Sequence, residues 1–304
     1  MTGEIPPEIG VLEHMTSFNA SSNELSGPIP RINISIALAS KLQVLSIDGN
    51  QITGSVPKSI GSFTELRELH LHDNRISGTL PPAIAIDRND NLRLIDISNN
   101  RLEGPIPDEL YSVLNLESVS LGNNALNGTI SDKIGGLSKL VSFEAGFNRL
   151  MGSIPTTVGA LRSLSELNLQ NNQLEGAMPS ELGTMALLTT LNIANNGLTG
   201  TIPGALFGSL STLRRLFLSN NMLRGPVPEG YKNANRLLEL WLDDNLLSGT
   251  LPPVAVYGLP TLGECISIQS TSSLLHFHHQ RFRVISSVHR EACAISERLG
   301  RGSR

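Results

Sequence analysis

Apolar residues recur along the chain in short alternating runs of the form LxxLxLxxN. In residues 164–172, Leu167 and Leu169 alternate with polar residues at the period of two that is typical of a β-strand with one buried face. A single short strand cannot bury that face alone, so neighbouring runs are expected to stack into one parallel sheet with strands about 4.8 Å apart. The pattern predicts a quasi-linear stack of strands, although a length of 304 residues by itself suggests two globular domains.

An asparagine at intervals of 24 to 27 residues defines the repeat. It occurs at Asn23, Asn50, Asn74, Asn100, Asn124, Asn148, Asn172, Asn196, Asn221 and Asn245. Leucine stands eight residues before each of them except the first, and glycine stands four residues after all ten. Proline follows three residues after that glycine in every repeat but one, where Ser131 replaces it. The consensus is LxxLxLxxNxLxGxIPxxLGxL, in ten copies preceded by half a repeat.

Each fixed position has a physical interpretation. The asparagine amide carries an acceptor and donors where the strand ends, so a column of asparagines can satisfy loop backbone groups that no β-ladder reaches. This column explains why 25 residues are asparagine. The glycine is expected to have a positive φ or to allow close approach of the next coil. The proline is expected to begin an extended segment on the opposite side, and every insertion falls after it, which preserves the strand register.

The consensus resembles the plant-type subclass of leucine-rich repeats, which its GxIP segment distinguishes from other leucine-rich repeats. This subclass occurs in the ectodomains of receptor-like kinases and receptor-like proteins, and in polygalacturonase-inhibiting proteins. The resemblance covers residues 1–262. It implies an α/β repeat fold: a right-handed solenoid with a parallel concave sheet, mostly short strands, and coil or 3-10 turns elsewhere. Because the repeat is a scaffold, the resemblance identifies no ligand.

The two ends depart from the repeat. The chain starts half-way through a repeat and lacks the cysteine-bearing cap of the plant family, as expected for a truncated or internally started sequence. Residues 263–304 form a non-repeat tail with a formal charge of +3, against −7 for residues 1–262. Apolar residues at three- and four-residue spacing from Phe282 to Leu299 predict one amphipathic helix that covers the end of the solenoid. A disordered tail is the alternative.

Charge and motifs exclude several functions. A net charge of −4 and a pI near 6 disfavour nucleic acid as a partner. The two cysteines form no CxxC pair, and no GxSxG, P-loop, HExxH or kinase motif occurs, so we predict neither an enzyme nor a cofactor. No run of eighteen apolar residues and no signal peptide is present, so this chain is not expected to insert into a membrane.

The five variable positions of LxxLxLxxN are expected to form the exposed face of the sheet, where repeat scaffolds bind their partners. Ten acids and four arginines occupy them, which favours a neutral or cationic ligand. The acids are Asp48, Glu68, Asp73, Asp96, Glu117, Glu144, Glu166, Glu239, Asp243 and Asp244, and the arginines are Arg67, Arg93, Arg214 and Arg215. Acids that merely keep a large sheet soluble are the alternative interpretation.

Phe217 and Trp241 share one column in adjacent repeats, and Arg214, Arg215, Asp243 and Asp244 surround them. Exposed tryptophan, phenylalanine and arginine are enriched in binding hot spots, so this cluster is a predicted ligand site. Packing of the two aromatic rings against the tail or a cap is the alternative.

Further ligand-contacting candidates on the same face are Glu144, Phe147, His70, His72 and Asp96. His70 and His72 lie two residues apart on one strand, with Asp48 and Asp96 beside them by column. Two imidazoles and two carboxylates are able to bind zinc, but such groups are more often solvated neighbours, so no metal is predicted.

The sequence therefore predicts a non-catalytic module that binds a protein, peptide or glycan in cell-surface recognition or signalling. The full-length parent is expected to be extracellular or associated with the plasma membrane. The sequons at Asn19, Asn33 and Asn127 are compatible with secretion. A secreted inhibitor of an extracellular enzyme, such as a polygalacturonase, and an intracellular interaction scaffold are the alternatives.

Overall fold

The computed structural model describes residues 1–12, 14–30, 41–85, 91–208, 212–230, 236–249, 266–268 and 282–284. One strand per repeat joins a parallel sheet, here called the concave sheet, whose strands follow one another in chain order. They are Ser17–Asn19, Val44–Ser46, Glu68–His70, Leu94–Asp96, Ser118–Ser120, Ser142–Glu144, Glu166–Asn168, Thr190–Asn192, Arg215–Phe217 and Glu239–Trp241. Each central residue pairs with the central residue of the next strand, as Phe143 does with Leu167. The predicted stack of short parallel strands is confirmed.

A second series of short parallel strands follows the asparagine turns. It comprises Thr2–Glu4, Glu24–Ser26, Ser77–Thr79, Arg101–Pro105, Ala125–Asn127, Met151–Gly152, Gln173–Ala177, Gly197–Thr199, Arg224–Gly225 and Leu246–Leu247. Single turns of 3-10 helix come next, at Pro7–Val11, Lys58–Ser62, Pro82–Ala85, Asp108–Ser112, Asp132–Gly136, Thr156–Ala160 and Ser180–Thr184. Within the described ranges, Ala205–Gly208 is the one α-helix. These elements match the predicted solenoid of short strands and 3-10 turns.

The repeat leucines form one continuous buried core that runs from Ile5 to Leu247. In the middle of the stack, the side chains of Phe143 and Leu167 have no exposed surface. Because the leucines point into this core, the residues that alternate with them point out of the opposite face of the concave sheet.

The asparagines form the predicted hydrogen-bond ladder. Asn148, for example, accepts a hydrogen bond from the backbone N–H of Leu126 at 3.0 Å. Its amide nitrogen donates to the carbonyl of Leu121 in the preceding repeat at 3.0 Å, and to the carbonyls of Ala145 and Gly146 at 3.2 Å. One side chain thus satisfies buried backbone groups of two repeats, which explains why asparagine recurs at this position in every repeat.

The glycines four residues after the ladder all have positive φ, between 72° and 81°. At Gly104 a Cβ atom would also lie 2.8 Å from Cγ2 of Thr79 in the preceding repeat. Both predicted reasons for glycine, a left-handed backbone and close approach, therefore apply at this position.

A serine replaces the proline in one repeat. Tyr111 of the preceding repeat occupies a position that is glycine in the next three repeats; only 3% of it is exposed, and burial raises the pKa of its hydroxyl. Ser131 precedes the 3-10 helix Asp132–Gly136, where its hydroxyl accepts a hydrogen bond from the backbone N–H of Lys133 at 3.4 Å. A proline at this position would lack that cap.

Two strands of the tail extend the concave sheet. Phe282–Val284 pairs antiparallel with Glu239–Trp241, and Ile266–Ile268 pairs antiparallel with Phe282–Val284. The predicted helix would begin at Phe282, where the structure has a strand, and residues 285–299 lie outside the described part of the chain. For those residues the helix stays a prediction.

Candidate ligand-binding surface

The exposed face of the concave sheet is built from in-register columns of side chains. We call the column at the end of each strand the central column. It contains Asn19, Ser46, His70, Asp96, Ser120, Glu144, Asn168, Asn192, Phe217 and Trp241. The second column lies two residues further along, on the same side. It contains Ser21, Asp48, His72, Ser98, Gly122, Gly146, Gln170, Ala194, Ser219 and Asp243.

The residues between the second column and the asparagine ladder form a third column with left-handed backbone. Most of them are asparagine or aspartate, which tolerate positive φ better than other side chains. The members are Ser22, Gly49, Asp73, Asn99, Asn123, Phe147, Asn171, Asn195, Asn220 and Asp244. Phe147 is the one bulky residue among them.

At the N-terminal end of this surface, His72 lies between two carboxylates. Its Nε2 is 3.5 Å from Asp48, and its Nδ1 is 2.8 Å from Asp73. Asp48 also accepts hydrogen bonds from the hydroxyls of Ser21 at 2.6 Å and Ser46 at 2.8 Å. Partial burial acts to raise the pKa of Asp48, but these hydrogen bonds outweigh it and the pKa is lowered.

The same network sets the charge of His72. Partial burial acts to lower the pKa of His72, whereas the hydrogen bond with Asp73 and the nearby carboxylates of Asp96 and Asp48 raise it, and the net effect is an increase. The imidazolium form is thereby favoured in the folded protein.

The four residues of the zinc alternative do not converge. His70 contacts Glu68 at 3.2 Å, while His72 turns to Asp73 and Asp48. In the part of the chain that the structure describes, no group of three or more histidine, cysteine, aspartate and glutamate side chains is placed to hold a metal ion.

We expect the stabilisation that His72 provides to depend on pH. Because the folded-state pKa is raised above the unfolded value of about 6.5, this stabilisation is fully present below that value and is lost as the pH rises through the folded pKa. The variant His72→Gln should lower the unfolding free energy by about 0.5–1 kcal/mol near pH 5 and by less near pH 8. Urea unfolding at both pH values measures this difference.

His14→Gln, which replaces an exposed histidine outside the concave sheet, is the matched control. An equal loss of stability for His72→Gln at both pH values would contradict the assignment of a charged role to His72.

In the middle of the surface, Glu144 is half-buried in the central column. Burial raises the pKa of Glu144, and the negative charges of Glu166 and Asp96 raise it further. Asp96 itself accepts hydrogen bonds from the backbone N–H of Ser98 at 3.0 Å and from its hydroxyl at 2.7 Å. A hydrogen bond with Ser142 only partly offsets the effects on Glu144, so its environment disfavours the charged form.

Near Glu144 lies Phe147, which is 47% exposed although it is a large apolar side chain. Its φ is 56°, in the left-handed region that phenylalanine rarely adopts. Sequence analysis placed Phe147 on the surface, but it did not reveal this backbone conformation.

At the C-terminal end, Phe217 and Trp241 are in contact as predicted. Their ring centroids are 5.0 Å apart at an interplanar angle of 80°, which is an edge-to-face arrangement. Arg215 lies 3.5 Å from Glu239, and the hydroxyl of Ser219 donates to Asp243.

The other predicted members of this cluster differ in placement. Arg214 is exposed just before its strand, whereas Asp244 lies in the left-handed turn of the third column. Trp241 also stands opposite Arg283 in the tail strand. Ligand contact and packing near the tail therefore both stay predictions for the aromatic pair.

The polar pair of Gln170 and Asn192 was not among the predicted site residues. The Asn192 amide donates to the side-chain oxygen of Gln170 at 2.9 Å, across adjacent repeats of the central and second columns. The assignment of residues to columns would have placed the two side chains near each other.

These features define a leucine-rich repeat solenoid with an exposed parallel sheet. The family model described as Leucine Rich Repeat matches residues 41–63, 65–85, 91–113, 163–185, 187–209 and 212–234. These matches show that the chain carries leucine-rich repeats, as the repeat consensus predicted.

The curated relatives are plant receptor-like proteins. Receptor-like protein 18 of Arabidopsis thaliana is 32% identical over 111 residues, which are 36% of this chain and 12% of that protein. Receptor-like protein 35 of the same plant is 34% identical over 116 residues, which are 38% of this chain and 12% of that protein. The chain thus matches only a small part of the length of these relatives.

Solved structures of plant receptor ectodomains have the same fold. The plant peptide hormone receptor RGFR1, in complex with RGF2, matches with a TM-score of 0.75 and 30% identity over 84% of this chain and 44% of that one. The Arabidopsis receptor kinase HAESA, in complex with the peptide hormone IDA and the co-receptor SERK1, matches with a TM-score of 0.77 and 32% identity over 83% of this chain and 41% of that one.

Across the described ranges of the chain, no helix has the length and hydrophobicity that a membrane span requires.

Proposed function

We propose that this solenoid is a non-catalytic recognition module that binds a peptide or a protein segment along the concave sheet. The observation that carries the proposal is the central column, an in-register row of side chains that take no part in the leucine core. Function in repeat scaffolds lies on such continuous surfaces, because their side chains are free of core packing.

The comparisons support the same function. The structural neighbours named above are receptors in complex with peptide hormones, and the curated relatives are receptor-like proteins. By this proposal the module serves cell-surface recognition in a longer parent protein at the plasma membrane. The excess of acids on the exposed face favours a neutral or cationic ligand.

The proposal is tested by selecting a displayed random-sequence peptide library on the full chain. The double variant Ser120→Arg/Asn168→Arg places two large cations in the middle of the central column without touching the core. Peptides that bind the concave sheet should lose binding to this variant. They should retain it for Glu109→Arg, which changes an exposed residue of the 3-10 helix Asp108–Ser112. Selected peptides that bind both variants equally would rule out the concave sheet as the binding surface.

The aromatic pair gives a second prediction. If the pair is a binding hot spot, replacing both Phe217 and Trp241 by alanine should weaken the binding of the selected peptides by about 2 kcal/mol or more. Titration by biolayer interferometry measures the affinity. Met222→Ala is the matched control, since Met222 is an exposed apolar residue of the same repeat outside the three columns. Unchanged affinity in the double variant would assign the pair to packing instead.

A further inference from the structure

The exposed ring of Phe147 breaks the pattern of its column. The other nine members of the third column are serine, glycine, aspartate or asparagine, all of which are small or polar. Phe147 places a large apolar side chain on the rim of the concave sheet, with 47% of its surface exposed. An exposed aromatic residue on a binding face is a typical anchor for a partner.

The second column has glycine next to this ring. Gly122 and Gly146 hold these positions in the fifth and sixth repeats, so neither repeat adds a side chain of its own between the rim and the central column. The side chains of Gln170 and Asn168 approach Gly146 from the next repeat, and a Cβ atom there would lie 3.1 Å from Cγ of Gln170 and 3.2 Å from Oδ1 of Asn168. Phe147 and Glu144 therefore lie on either side of a glycine on one stretch of the sheet, with polar side chains of the next repeat beside it.

The charges along this stretch all have one sign. The structure describes every residue from 116 to 196. Among the exposed strand positions of this range, the acids are Glu117, Glu144 and Glu166, and no lysine or arginine occurs. Glu117 is paired with Arg93 at 3.3 Å. Glu144 and Glu166 lie on adjacent strands, where Ser142 pairs with Glu166 and Glu144 with Asn168. Among the described residues, neither Glu144 nor Glu166 has a basic partner.

We infer that this part of the concave sheet is a subsite for an arginine or lysine side chain of a peptide ligand, bound between Phe147, Glu144 and Glu166. The aromatic face attracts the cation and covers its alkyl stem, and the carboxylates neutralise its charge. A carboxylate or a phosphate of the ligand would be repelled at this subsite. The inference rests on the proposed function and adds the chemistry of one ligand residue.

The experiment uses the same displayed library, selected on the full chain. Arginine or lysine should be enriched at one position of the selected peptides. Synthetic copies in which citrulline replaces that arginine, or norleucine replaces that lysine, keep the shape and lose the charge. They should bind the protein at least tenfold more weakly.

Three single variants test whether Phe147, Glu144 and Glu166 form the subsite. Phe147→Asn restores the residue type that the left-handed backbone accepts, so it should fold with an equal or higher Tm and yet bind the selected peptides at least tenfold more weakly. Glu144→Gln and Glu166→Gln should each reduce the preference for the charged peptide over its neutral copy. Glu103→Gln, at an exposed acid on the strand Arg101–Pro105, is the matched control and should leave that preference unchanged.

The possible failures are distinct. Peptides that lose binding to Ser120→Arg/Asn168→Arg but show no preference for a cation would leave the proposed function intact and overturn the subsite. A cation preference that Phe147→Asn, Glu144→Gln and Glu166→Gln do not alter would also overturn it. Peptides unaffected by Ser120→Arg/Asn168→Arg would instead contradict the proposed function itself.

Discussion

Replacing Phe143 by alanine should lower the unfolding free energy by about 3–5 kcal/mol. The ring has no exposed surface, and it lies in the middle of the core between the buried side chains of Val119 and Leu167. The substitution removes much of the apolar contact and leaves a cavity between two repeats that the stacked strands cannot close. Urea unfolding followed by far-ultraviolet circular dichroism measures the change.

Phe147→Ala is the matched control for Phe143→Ala, because it removes the same atoms four residues further along. Phe147 is 47% exposed, so its loss should change the unfolding free energy by less than about 1 kcal/mol. Similar losses for the two variants would contradict the division of this segment into a core side and a ligand side. A difference of the expected size would show that Phe147 can be replaced without disturbing the core. A change in affinity at Phe147 would then report on ligand contact.

Replacing Asn148 by alanine should lower the unfolding free energy by about 2–4 kcal/mol, although the substitution creates only a small cavity. The backbone N–H of Leu126 and the carbonyl of Leu121 would lose their partner inside the protein. Each buried polar group left unsatisfied costs about 1–3 kcal/mol. The same urea unfolding experiment measures the loss.

Two further variants separate the causes of the effect at Asn148. Asn148→Asp keeps the acceptor for Leu126 but removes the donors to the carbonyls, so it should also be destabilising. Asn127→Ala, at an exposed asparagine of the strand Ala125–Asn127, should change the unfolding free energy by less than about 0.5 kcal/mol. A loss below 1 kcal/mol for Asn148→Ala would mean that water satisfies the freed groups and that the ladder contributes little.

The ladder and the core matter for recognition because they fix the spacing of the exposed columns. In a solenoid each repeat contacts only its neighbours, so a defect at Asn148 or Phe143 acts first on the fifth to seventh repeats. Those repeats carry Glu144, Phe147 and Glu166. Variants that destabilise them are expected to weaken peptide binding indirectly, whereas the exposed variants act on the ligand contacts alone.

Much of the candidate site was predictable from column position. The contact between Phe217 and Trp241 and the proximity of His72 to Asp48 followed from the assignment of residues to repeats, because parallel in-register strands place equivalent positions side by side. The hydrogen-bond partner of each side chain could not be predicted from column position. His72 could turn towards Asp48, Asp73 or Asp96, and short-range hydrogen bonding, absent from the repeat pattern, decided that it contacts Asp73 most closely.

The sequence by itself determined the number of repeats, the leucine core, the asparagine ladder and the identity of the exposed positions. These depend on periodicity and on hydrogen-bonding capacity, which a single sequence displays directly. Only the tertiary structure revealed the left-handed backbone under Phe147 and the tail strand beside Trp241. Phenylalanine rarely adopts that backbone, so the residue type did not indicate it, and the strand pairing joins distant segments that share no repeat pattern.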